Sequence, residues 1–117
     1  MRFEITLNRF RLISGLSDSD AEKWLPVIRD SIDYVSSLVT KKDPTERDLE
    51  RVQSAAGVYA YYRYIAYSVD TESRTSVGSF SMLSNSKKLL EAEKMWESEL
   101  ESLGDIISDG SFFFRRI

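Results

Sequence analysis

Five tyrosines, Tyr59, Tyr61, Tyr62, Tyr64 and Tyr67, fall within nine positions of an alanine-rich stretch patterned as a helix. At about 100° per residue they point at roughly 0°, 200°, 300°, 140° and 80° around the axis. No single apolar stripe holds them all. Such a helix is either central, touched by neighbours on several sides with its hydroxyls reaching water, or covered in part by another subunit, where tyrosine is enriched. The two readings are compatible, and Tyr61 and Tyr64 are taken as candidate interface positions.

The 117 residues suit one domain, 1–117, with 42% apolar and 30% charged side chains, a balance that excludes a disordered chain and predicts a modest core. No apolar run approaches the roughly 18–20 residues that span a bilayer. The start Met-Arg-Phe-Glu-Ile lacks the apolar stretch of a signal peptide, so a chain that is cytosolic when made is expected, with no membrane partner. There is no cysteine and therefore no disulfide or thiolate chemistry. A net charge of −3, with basic residues dispersed apart from Lys41-Lys42, Lys87-Lys88 and Arg115-Arg116, argues against a nucleic-acid partner.

Along the chain, Phe3, Ile5 and Leu7 alternate as in a strand, but Thr6 can also cap a short helix through Leu7, Phe10 and Ile13 that stops at Gly15. The helix is the preferred reading. In Ser17-Asp18-Ser19-Asp20-Ala21-Glu22 either serine has an acid three residues on, the reciprocal capping pattern of a helix start. Trp24, Leu25, Ile28, Ile32, Val35 and Val39 then fit one core-facing stripe, with Pro26 predicting a kink or a start near Trp24. After a turn over 41–43, Asp43 as cap, Pro44 at the first helical position and Glu46 at the third predict a long central helix over about 44–68. Gly57 lies inside it beside Ala55, Ala56 and Ala60, a small-residue patch that lets another helix approach closely.

Residues 70–86 are rich in Ser, Thr and Asn, and 76–82 alternate polar and apolar residues, which reads as an extended arm carrying Val77, Phe80 and Met82. A last helix over about 86–103 has Leu89, Ala92, Trp96, Leu100 and Leu103 on its inner stripe, with Gly104 at its end. Beyond it come Ile106-Ile107, an Asp109-Gly110 turn and the run Phe112, Phe113, Phe114, Arg115, Arg116, Ile117. Three consecutive phenylalanines cannot all face inward from an extended strand, and burying each is worth roughly 1.5–3 kcal/mol. A tail that docks on another subunit or protein is favoured over its simple packing onto the chain's own helices. The fold class expected is all-α, a four-helix core with a long central helix, an extended arm between the third and fourth helices and an extended C-terminal tail.

Catalytic chemistry finds little to work with. Histidine and cysteine, the common general base and the common transition-metal ligands, are absent. The acids of 17–22 lack the spacing and glycine of a calcium loop and read as helix caps. The acidic run Glu91, Glu93, Glu97, Glu99 and Glu101 reads as a solvated helix side. The scattered glycines make no phosphate loop. No catalytic, metal or cofactor residue is assigned.

The Gly15-Leu16-Ser17-Asp18 start of an early helix, the Ala/Tyr-rich helix around Ala55 and Tyr67, the stretch Ser76-Val77-Gly78-Ser79-Phe80-Ser81, the helix through Ala92 and Trp96, and the ending Asp109-Gly110-Ser111-Phe112-Phe113-Phe114 together have a familiar order. In this pattern the chain resembles the small all-helical head-tail connector, or head-completion, proteins of long-tailed bacteriophages and prophages. The resemblance implies a non-enzymatic virion protein, assembled in the host cytoplasm. It would repeat as a ring, commonly of twelve copies, between the portal protein and the tail or stopper proteins. By the same likeness, Val77, Phe80 and Met82 would contact portal or a neighbour, and Phe112, Phe113 and Phe114 would settle on an adjacent subunit. The competing expectation is a stand-alone helical binding module or regulator that grips one partner through its tyrosines.

Overall fold

A computed structural model describes the backbone of residues 3–75 and 79–107, and the side chains of 3–68 and 87–107. The protein is all-α, and the described residues form five helices in place of the four expected: α1 (Phe3–Ser14), α2 (Asp18–Glu22), α3 (Leu25–Ser37), α4 (Glu46–Thr75) and α5 (Ser79–Ser102). α4 is the hub against which α1, α3 and α5 all pack.

The first segment is helical from Phe3, so Thr6 lies inside α1 and is not its cap. Thr6 is fully buried and its hydroxyl donates to the Gln53 carbonyl at 2.8 Å. That bond needs α1 very close to α4, and Gly57 provides the room: a Cβ there would lie 2.7 Å from Arg9 Cβ and 2.9 Å from the Thr6 carbonyl oxygen. The small-residue patch is therefore where α1 crosses. Gly15, at φ 74°, ends α1 in the left-handed region.

Ser17 caps α2 as its spacing predicts, its hydroxyl accepting from the Asp20 amide at 3.2 Å. Pro26 divides the expected second helix. Trp24 becomes the N-cap of α3 and Pro26 sits in its first turn, where no intrahelical donor is lost. The start of α4 is displaced from the Asp43–Glu46 box. Asp43 has φ 53°, whereas an N-cap needs extended dihedrals. Thr45 takes the role: the Asp48 amide donates to Thr45 Oγ1 and the Thr45 amide donates to Asp48 Oδ2, both at 3.0 Å.

The largest departure from the sequence reading is the arm. α4 continues to Thr75 and α5 begins at Ser79, so the described residues of 70–86 are helical and do not form the extended arm expected there. Once a helix is nucleated each further residue adds a hydrogen bond at little cost, and the polar residues there tolerate it. Phe80 and Leu83 are also three apart, a helical spacing hidden by the local alternation. Val77 and the tail with Phe112, Phe113 and Phe114 lie outside the described residues, as do the side chains of Phe80 and Met82.

Two clusters form the core. One joins Val35, Val52, Ala55, Ala56, Val58, Trp96, Leu100, Leu103, Ile106 and Ile107; the other joins Phe10, Ala21, Ile28 and Ala60. Arg9 spans α1, α4 and α5, donating to Ser54 and pairing with Glu99 at 2.7 Å. Glu99 is thus a structural partner and not part of a solvated face.

Candidate docking groove

The wheel of tyrosines is divided between two sides of α4. Tyr61 and Tyr64 are half-buried against the second core cluster. Tyr64 meets the edges of Phe10 and Trp24 at centroid distances of 5.8 and 4.8 Å, and Tyr61 lies 6.3 Å from Tyr64. Tyr67 extends this group outward, stacking over Trp24 at 6.1 Å while its hydroxyl accepts from Arg63 at 2.8 Å. These three are the residues at roughly 80–200° on the wheel.

Tyr59 and Tyr62, at roughly 0° and 300°, face the other way, toward α3 and α5. The segments that follow those two helices are tied together: the Thr40 and Lys41 amides both donate to the Ile106 carbonyl at 3.0 Å, and Val39 and Ile107 form an antiparallel bridge. Away from this tie lies a groove of about 390 Å³ lined by Tyr34 of α3, Tyr59 and Tyr62 of α4, and Glu93, Trp96, Glu97 and Leu100 of α5. Tyr59 is its centre, stacked on Tyr34 at 4.6 Å and 24° and tilted against Trp96 at 4.9 Å. Trp96 is 7% exposed and Tyr34 39%, so the tryptophan is part of the floor and the tyrosine is the lip.

Burial, then the neighbouring Tyr34, raises the Tyr59 phenol; burial, then Glu93, raises that of Tyr62. Both remain neutral donors at physiological pH. Glu93 and Glu97 stand exposed on the rim, one helical turn apart. Aromatic faces with carboxylates at the edge suit an apolar segment that also carries a cation. They hold no nucleophile–base pair, and among the described residues no group of acids is disposed to hold a metal ion.

Of the positions singled out from the sequence, Tyr61 and Tyr64 are brought together, but on the side of α4 away from the groove. The groove is not visible in the sequence: Tyr59 and Tyr62 belong to the wheel, Trp96 to the inner stripe of the last helix and Glu93 and Glu97 to its solvated side, while Tyr34 stands outside every stripe and motif. The signal available was the i, i+3, i+4, i+7 series Glu93, Trp96, Glu97, Leu100, which sets two acids along the edge of an inner stripe. Other apolar surface is open at Leu12, Leu90 and Met95. Among the described residues no helix is long and apolar enough to cross a membrane.

No family model, curated protein or solved structure matches this chain.

Proposed function

We propose that the chain is a non-enzymatic structural subunit of a phage or prophage particle, repeating as a ring at the head–tail junction between the portal protein and the tail or stopper proteins. The observation that supports this reading is the open aromatic surface around α4: three helices pack on it and still leave the Tyr34–Tyr59–Tyr62–Trp96 groove and the Tyr67 ring accessible. The pattern resemblance to head-completion proteins supplies the particle. The mechanism is geometric. A small helical wedge presents one surface to the next copy and receives another on its opposite side, and heterologous contacts of that kind close into a ring when the rotation permits. Aromatic anchors in pockets carry most of the energy of such contacts. A net charge of −3 suits a protein beside passing DNA, because like charge avoids trapping the duplex.

A second reading is a stand-alone helical binding module, favoured by the compactness of the groove and its acid rim, which suit one basic, aromatic peptide. Mixing the protein with purified portal rings separates the two. A connector adds a layer of density to the ring in electron micrographs. A regulator or binding module leaves the ring unchanged, and that result overturns the particle reading.

A further inference from the structure

The groove has an open aromatic floor and two acids on its rim, and the chain contains a segment of complementary chemistry. In an extended segment alternate residues share a face, so Phe112, Phe114 and Arg116 would present two aromatic rings followed by a cation. From the α3–α5 tie outward the α5 side of the groove offers Leu100, Glu97, Trp96 and Glu93 in turn, an apolar floor with a carboxylate on either side of the tryptophan along the helix. The lengths agree. Phe112 to Arg116 spans about 13 Å when extended, and Leu100 to Glu93 rises about 10 Å along α5.

The point of departure also fits. Ile107, the last described residue, is held against Val39 at the tie between the segments that follow α3 and α5. Tyr34 lies five residues back along the chain from Val39, about 8 Å if measured at helical rise. The link from Ile107 to Phe112 can reach about 17 Å. A tether of this length holds the segment near the groove at an effective concentration of order millimolar.

We infer that the groove between α3 and α5 is the seat of this chain's own Phe112–Arg116 segment, with Phe112 and Phe114 on the Tyr34–Tyr59–Trp96 surface and Arg116 at the rim formed by Glu97 and Glu93. In the isolated protein the segment covers the aromatic floor that would otherwise attract other chains. Exchange of the same segment onto a neighbouring copy would remake the same contacts, the low-cost route of domain swapping. The inference stands on the groove and the segment's chemistry. The portal experiment can defeat the particle reading without touching it, and the reverse also holds.

The cysteine-free sequence permits a clean test. A spin label on Ile117→Cys in the full chain is expected to broaden the amide resonances of Glu93, Trp96, Glu97 and Leu100, and to spare those of α2. In a mixture of labelled chain with isotope-enriched unlabelled chain, that broadening should vanish. Broadening that persists in the mixture would show a second copy as the occupant, and broadening absent from α5 would show the groove empty; either overturns the inference. The exposed pair Glu93→Lys and Glu97→Lys, with an unchanged helical circular-dichroism signal, should lower the seated population roughly tenfold as two rim attractions become repulsions. Adding Arg116→Glu should restore much of it. Broadening that survives the first reversal unchanged overturns the assigned charge match.

Discussion

At the scale of single residues, Gly57 is the position where sequence and packing agree most closely. A glycine amid Ala55, Ala56 and Ala60 already marks a close approach, and α1 is the helix that makes it. Replacing Gly57 with alanine would gain about 1 kcal/mol in helix propensity. The new Cβ, however, would meet Arg9 Cβ at 2.7 Å and the backbone oxygen of Thr6 at 2.9 Å. The oxygen belongs to a helix whose Thr6 hydroxyl is bonded to Gln53, so it cannot yield by a rotamer change. Overpacking of this kind costs about 1–3 kcal/mol, and with the lost Thr6 bond it outweighs the propensity gain. Gly57→Ala is therefore expected to unfold several degrees lower in a calorimetric scan, and an unchanged or higher midpoint would contradict the seating of α1 at this glycine. Thr6 itself was read as a cap because its type favours caps. Its burial depends on a partner 47 positions away, which no local pattern reveals.

At the scale of elements, the inner stripes of α3 and α5 were legible because helical periodicity is written into each segment. The ends were less so. The start of α4 was displaced by the positive φ of Asp43, a conformation set by the turn from α3, and the true box is Thr45 with Asp48. Asp48 also accepts from Lys41 Nζ at 2.7 Å. The Lys41 bond above all, then the Thr45 amide, lowers its carboxyl from 3.8 to about 2. A depressed folded value means that the unfolded chain takes up the proton first as pH falls. The contribution of Asp48 is thus fully present above its unfolded value of 3.8 and is lost as pH drops toward about 2. Asp48→Asn should be less stable at neutral pH and should show a shallower loss of urea midpoint across that window. Some slope should remain from Asp105, whose carboxyl is also lowered, by its bond with Arg51. An Asn variant with the same acid profile as the parent would remove the cap and its lysine from the account. The expected arm fails at this scale for a related reason: a two-residue alternation over 76–82 competes with helix extension, and the described residues 70–75 and 79–86 are helical.

At the scale of the whole molecule, the all-α class and the central place of α4 follow from the sequence, because five tyrosines spread around one axis need neighbours on several sides. The sequence does not say which neighbour takes which tyrosine. That division, with Tyr61, Tyr64 and Tyr67 toward α1–α2 and Tyr59 and Tyr62 toward α3 and α5, arises from the crossing of α1 at Gly57 and the tie between Thr40, Lys41 and Ile106. The groove was illegible because Tyr34, Tyr59 and Trp96 belong to three different helices. Much of the aromatic wheel is used internally, and what remains open is the groove, the Tyr67 ring and scattered apolar side chains. The account's central claim is that this remainder serves assembly at a phage neck. Cryo-electron microscopy of purified particles from the cell that encodes the chain, with mass spectrometry of the same particles, tests it most directly. The account predicts the chain among the particle proteins and density for α1–α5 repeated around the neck axis. Particles with a complete neck that contain no copy of the chain would contradict it.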